Sequence, residues 1–228
     1  GIKDLFEYST PDNYYDTENN KVMEQSWDGS PYREKDWKVY KSLRDSPKDT
    51  NPKCIRIYSG DHGVHRTLDW DGNSPGDAFH TLAPTRELVR EGNLSGDYND
   101  AGYVFLWNSC AGSVLLAGDS HDKTWEHILE NHEEMVSDVD LLLAPHHGRK
   151  SGRSFKFLDT VKPKMTFFGN APSKDLSYDA WSTRGLPYIT NNMAGSMVVK
   201  CADDDLDLYV TNEKYARDQN SHTYYSDD

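Results

Sequence analysis

The chain has 228 residues, enough for one domain with a real core, and combines a formal charge of −13 with 36% hydrophobic and 12% aromatic residues. No apolar run approaches the ~20 residues of a membrane helix, and the opening Gly1-Ile2-Lys3-Asp4-Leu5-Phe6 has no signal-peptide pattern. A chain this acidic repels a polyanion as a whole, which argues against a dedicated duplex-binding module. It leaves open a phosphodiesterase whose metal ions bring local positive charge, and equally a charge that serves only solubility.

Cys54, Cys110 and Cys201 stand far apart without a CxxC. That is neither a disulfide framework nor a zinc knuckle, and it suits a reducing, cytoplasmic location. The missing initiator methionine is compatible with a cut or processed N-terminus.

The first fifty residues are rich in Asp, Asn, Tyr and Lys; within them the pattern from Trp37 to Leu43 predicts one short helix, and Ser46 to Pro52 reads as a loop. Cys54 to Tyr58 is predicted as a strand, followed by a glycine-rich loop from Gly60 to Asp77. From Ala78 the texture changes. Ala78 to Leu82 reads as a strand ending at Pro84, Thr85 to Arg90 as a helix, Tyr103 to Trp107 and Ser113 to Ala117 as apolar strands around a turn.

Trp125, Ile128, Leu129 and His132 lie at helical spacing, and Val139 to Ala144 is a buried-type strand. A helix over Ser154 to Val161, a strand over Met165 to Phe168, a helix over Tyr178 to Thr183 and a strand over Tyr188 to Thr190 follow. Ser196 to Cys201 and Leu206 to Val210 form a closing hairpin, and the polar tail from Lys214 reads as mobile. Strands and helices alternate, so the expected class is α/β or α+β. No internal repeat is present.

Two strand ends carry candidate chemistry. Ser113-Val114-Leu115-Leu116-Ala117 runs into Gly118-Asp119, and Leu141-Leu142-Leu143-Ala144 runs into Pro145-His146-His147-Gly148. A carboxylate and an imidazole at the ends of adjacent buried strands can converge on one point, and they are ligands that Zn²⁺ and Mn²⁺ accept. Alone, a Gly-Asp after a strand is an ordinary turn and a His-His pair an ordinary surface feature. Their order, about 27 residues apart with a helix between, is more specific.

The stretch from Ser113 to Asp119, the intervening helix, and the stretch from Asp138 to Gly152 resemble the late motifs of ComEC-type metallo-β-lactamase-fold hydrolases. The likeness extends to Val161-Lys162-Pro163, the Tyr178 helix, Tyr188-Ile189-Thr190 and Asn192-Met193-Ala194-Gly195-Ser196. Upstream it takes in Phe79-His80-Thr81-Leu82-Ala83-Pro84 and Asn99. It covers about residues 78–210.

The resemblance implies an αββα sandwich. Residues 1–77 would be an irregular region, 78–213 the C-terminal part of the fold, and 214–228 a tail. It implies two divalent metal ions, Zn or Mn, with Asp119 as bridging carboxylate and His146 as the late histidine ligand, His147 being the other candidate. The histidine that is not a ligand would hydrogen-bond a scissile phosphate. Ser151 and Lys150 would lie on a loop near it, a place equally open to solvated residues.

The family's first motif, of HxHxDH form, has no counterpart. Asp61-His62-Gly63-Val64-His65 is the nearest cluster, and it reads more simply as a loop. The remaining ligands are therefore expected from an N-terminal fragment or another chain, with a protease as a conceivable activator. The function implied is a metal-dependent phosphodiesterase or nuclease acting on nucleic acid or a nucleotide. The alternative is a metal-free interaction or regulatory subunit that keeps the fold.

Other residues receive plainer readings. His121 is a possible site-lining residue, His127 and His132 are surface residues, and His80 is a core histidine. Trp107, Trp125 and Trp181 are core aromatics, and Asp203-Asp204-Asp205 is a hairpin tip.

Overall fold

The computed structural model describes residues 1–23, 27–30, 33–45, 52–64, 76–202, 205–218 and, for the backbone, 224–225. In chain order the elements are α1 (Ile2–Tyr8), β1 (Asn13–Tyr15), α2 (Glu34–Arg44), β2 (Lys53–Ile55), β3 (Phe79–Ala83) and α3 (Arg86–Ser95). Then come β4 (Val104–Ser109), β5 (Gly112–Leu116), α4 (Asp122–Val136), β6 (Leu141–Leu143), α5 (Leu158–Val161) and β7 (Met165–Phe168). The chain closes with α6 (Tyr178–Ser182), β8 (Tyr188–Thr190), α7 (Asn191–Ala194), β9 (Met197–Ala202), β10 (Asp205–Val210), α8 (Glu213–Asp218) and β11 (Tyr224–Tyr225).

The central sheet has six strands in the order β3-β4-β5-β6-β7-β8. The first three are antiparallel, and β5 through β8 run parallel. The class is therefore mixed α/β. Because β5 to β8 follow one another in space as in sequence, right-handed crossovers place α4, α5 and α6 on one face. That face holds the main core. Leu106, Leu115, Leu142 and Phe168 meet Trp125 and Ile128 of α4, Leu158 and Val161 of α5, and Trp181 of α6. Trp125 stacks on Phe157 at 3.9 Å between centroids, and the buried Trp181 indole donates to Thr166 Oγ1 at 2.8 Å.

The opposite face is covered unevenly. The β9–β10 hairpin packs Met197, Val199, Leu208 and Val210 over Met165, Phe167 and Ile189, at the β7–β8 end. At the other end Phe79, Phe105, Trp107 and Leu116 are only half-buried, and Leu143 is 39% exposed. These side chains share one face by register and join neither main cluster. Phe79 stacks on Trp107, and Tyr103 stacks on Phe105.

Several expectations shift. The helix predicted from Ser154 begins at Leu158, because Phe155 takes a left-handed φ of 53° and Asp122 binds the Ser154 amide and hydroxyl. The tail is helical over Glu213–Asp218, with Tyr215 and Ala216 against the hairpin cluster. The loop expected over Ser46 to Pro52, apart from Pro52 itself, and much of that from Gly60 to Asp77 lie outside the described residues, as do Asp203 and Asp204. Among the described residues before 77, β1 and β2 pair as a small parallel sheet and α1 contacts α2.

Candidate functional site

The parallel strands β5 to β8 all end along one edge, where open α/β sheets bind ligands. Asp119 follows β5, the His146-His147 pair follows β6, Gly169 follows β7, and Asn191 follows β8. A cleft of about 280 Å³ opens there, lined by Asp119, His147, Gly169 and Asn191 on the polar side and by Leu143 and Met197 on the apolar side. Leu143 belongs both to this cleft and to the open part of the sheet face.

The two histidine rings lie edge to face, 6.4 Å apart between centroids, and meet different partners. His146 and His147 both have left-handed φ values, 50° and 60°, and Gly148 continues at 78°. Such residues are costly for side chains other than glycine and persist where surrounding structure over-determines them. Here the His146 amide donates to the Gly118 carbonyl at 2.8 Å, tying the ends of β5 and β6 together. A Cβ on Gly118 would lie 2.9 Å from the Tyr103 carbonyl oxygen, so that tie needs glycine.

His147 is exposed, with its ring against Gly169, where an added Cβ would fall 2.3 Å from Nδ1. His146 is half-buried. Its Nδ1 lies 3.0 Å from Nη2 of Arg153, a side chain only 6% exposed. A guanidinium has only donors, so Nδ1 accepts and the neutral ring carries its proton on Nε2. Burial holds the His146 pKa below the usual imidazole value, with Asp119 opposing and Arg153, Arg149 and His147 adding to the depression.

Arg153 also donates from Nε to Ser151 Oγ at 2.8 Å and from Nη1 to the Ser120 carbonyl at 2.5 Å. Ser151 Oγ in turn donates to the Arg149 carbonyl at 3.2 Å. Its hydroxyl is thus engaged with Arg153 and Arg149, and it does not line the cleft that holds Asp119 and His147. His121 lies 3.1 Å from the Ser151 carbonyl oxygen through Nε2, bracing the same segment. Asp100 fixes the start of α4 directly after Asp119, accepting from the His121 and Thr124 amides and the Thr124 hydroxyl. Lys150 keeps an exposed side chain while its amide is bound to the Asp175 carbonyl.

A carboxylate and an imidazole facing one solvent-open cleft suit a borderline divalent ion in donor type. Asp119 and His147 meet that description. His146 does not, since its Nδ1 already accepts from a buried cation and its Nε2 carries the proton. Among the described residues, no three His, Cys, Asp or Glu side chains gather to hold an ion. Two donors are fewer than the three or four protein ligands such ions take.

Asp61 and His62 do not join the cleft. Asp61 accepts from the Tyr58 amide at 2.9 Å, His62 is exposed, and His65 lies outside the described residues. A larger cleft, about 1120 Å³, lies elsewhere, walled by Trp37, Tyr40 and Tyr98. Its one lining carboxylate, Asp36, is paired with Arg33, and no histidine or cysteine lines it, so it has no comparable convergence of potential ligands.

Sequence reading passed over Arg153 and Ser59. Arg153 was visible only as one of three basic residues after the histidine pair. Ser59 binds both α4 histidines, with His127 Nε2 at 2.8 Å and His132 Nε2 at 2.9 Å from its hydroxyl. Five residues apart, these rings would diverge on a regular helix. Non-helical dihedrals at His132 bring them together. The amides of Ser59, Gly60 and Asp61 all donate to backbone carbonyls, so no free N–H pair beside Ser59 could hold an oxyanion. His80 pairs with Asn108 at 3.3 Å.

No protein-family model matches the chain, and a search of curated proteins finds no match. No helix among the described residues is long and apolar enough to cross a membrane.

Proposed function

We propose that this chain is one half of a two-part hydrolase of metallo-β-lactamase type, acting on phosphodiester bonds. One observation carries the reading: the cleft holding Asp119 and His147 adjoins, through Leu143, the open part of the apolar sheet face. A second sheet laid beside the β9–β10 hairpin would cover that face and bring its own side chains to the cleft. The occupant is the polypeptide carrying the remaining ligands, whether an N-terminal fragment or a separate chain.

In that assembly Asp119 and His147 are the ligands this chain supplies. Bound divalent ions would activate water and polarise a phosphoryl oxygen. Asp119 would also attract the cations to the strand ends, and Gly169 leaves the space His147 needs. His146, neutral and protonated on Nε2, is a hydrogen-bond donor suited to a phosphate oxygen. Nucleic acid and nucleotides are the substrate classes of this reading, with small or single-stranded ones favoured by the acidic charge.

The buried Arg153 and the two-donor count support a second reading, a metal-free regulatory subunit that retains the fold. Elemental analysis of the protein with its co-purifying polypeptides separates the two. Near-stoichiometric zinc or manganese, with chelator-sensitive hydrolysis of bis(p-nitrophenyl) phosphate, supports the hydrolase. Metal-free material that stays inactive with its partner bound would leave the regulatory subunit.

A further inference from the structure

A second cleft, of about 470 Å³, lies on the N-terminal side of the molecule, lined by Glu18, Lys53, Cys54, Arg56, Tyr58 and Arg86. Three cations face one carboxylate there, in a chain whose net charge is −13. Local charge opposite to that of the whole molecule focuses the field on the cleft.

The partners of these side chains define what remains available. Glu18 is occupied on both oxygens, by Arg56 Nη1 at 3.0 Å and by the Tyr58 hydroxyl at 3.2 Å. Arg56 also approaches the buried Asp16 at 3.7 Å. Arg86 lies with its guanidinium 4.0 Å over the Tyr58 ring. Stacking uses its face and leaves the N–H edge able to fork onto an oxyanion. No carboxylate among the described residues pairs with Arg86 or Lys53, although the chain holds 38 of them.

The remaining groups add no negative charge. Burial, the main cause, raises both the Cys54 thiol and the Tyr58 phenol above their ordinary pKa values, so both stay neutral. A buried tyrosine thus serves as a platform for Arg86, while Glu18 holds Arg56 in place.

We propose that this cleft binds the phosphate group of a small phosphate monoester, with Arg86 and Lys53 as the principal contacts and Arg56 as a third. The cleft is larger than phosphate needs and lies within the volumes typical of small-ligand sites. A nucleoside monophosphate would satisfy the same chemistry, its base extending the stack on Arg86. Polymeric nucleic acid is disfavoured by the charge of the molecule as a whole.

The test is isothermal titration of the full chain at low salt with inorganic phosphate and with adenosine 5′-monophosphate. Saturable binding is expected, weakened about tenfold in Arg86→Gln and again in Arg86→Gln/Lys53→Gln, as loss of charge-assisted hydrogen bonds predicts. The exposed Lys174→Gln serves as a charge-matched control and should leave affinity unchanged. Tighter binding of the nucleotide supports a ligand that stacks on Arg86; equal binding supports recognition of the phosphate alone. Absence of saturable binding of either probe, or equal affinity in Arg86→Gln and Lys174→Gln, would overturn the assignment. Circular dichroism of each variant separates lost binding from lost folding.

Discussion

Ser59 joins two imidazoles through one hydroxyl, and the hydrogen bonds around it define each proton. The Asn131 amide nitrogen donates to the His127 carbonyl and lies 3.2 Å from His127 Nδ1, so Nδ1 accepts and Nε2 carries hydrogen. His127 then donates to Ser59, and Ser59 donates to His132 Nε2. The chain requires both rings to be neutral. Burial lowers both pKa values; His132 is lowered further by His127 and His80, and Glu130 opposes the shift at His127. Because the folded values lie below the unfolded one, the unfolded state takes up protons first as pH falls. Stability is therefore fully present above about pH 6.5 and declines as pH drops below it. Urea unfolding from pH 8 to 5 should show this decline, and His127→Gln/His132→Gln should flatten it. His146 contributes to the same window, so only part of the slope disappears. An unchanged slope in the double variant would remove the Ser59 network as its source. Arg153 offers a second test at this scale. Arg153→Met removes three donated hydrogen bonds and should cost about 2–3 kcal/mol. It should also raise the Nδ1–H tautomer of His146, visible in the ¹⁵N shifts of its ring.

The turn after β6 sets the site by close approach, so its glycines are sensitive positions. In Gly169→Ala the new Cβ would collide with His147 Nδ1, displacing that ring. The expected result is a folded protein, destabilised by about 1 kcal/mol, with its His147 ring resonances shifted. Gly148→Ala is harsher, because it adds a Cβ 2.6 Å from the Phe168 ring at a φ of 78°. A loss of about 2–4 kcal/mol is expected, read by thermal unfolding; wild-type stability would mean that Phe168 moves aside freely. These contacts also mark the limit of sequence reading. β4, β5, β7 and β8 were legible because apolar runs bounded by turn residues describe buried strands. The placement of Asp119 and the histidine pair at adjacent strand ends followed from the same pattern. Which histidine faces the cleft did not, since that depends on consecutive left-handed residues and on Arg153, seven positions along the chain. His127 and His132 were read as surface residues of the helix after Asp119, and their five-residue spacing on an ideal helix gives no sign of a shared partner. Only a local departure from helical geometry unites them with a serine 68 and 73 residues away. The short α7 and α8 carry too few turns for a periodicity to register.

At the scale of the molecule, the two faces of the sheet are unequal. The face under α4, α5 and α6 is closed, whereas the β9–β10 hairpin leaves Phe79, Phe105, Trp107, Leu116 and Leu143 partly in water. An apolar sheet face open to solvent lowers its free energy by burial against another surface, at roughly 25 cal/mol per Å². Without a partner sheet, the available surface is the same face on a second copy. The isolated chain should therefore self-associate reversibly, and sedimentation velocity from about 5 to 200 µM should show the mass rising with concentration. Leu143→Glu places a charge on the most exposed residue of the open region, at its edge beside the cleft, and should hold the chain monomeric. Because Leu143 is already 39% exposed, folding stability should change by less than about 1 kcal/mol. Val198→Glu, on the outward face of β9 at 57% exposure, is the matched control and should leave association intact. If the wild-type chain stays monomeric throughout and binds no apolar dye, the half-buried aromatic surface is satisfied within one chain. The case for a missing partner sheet then fails, and Asp119 and His147 stand as a two-ligand site with nothing to complete them.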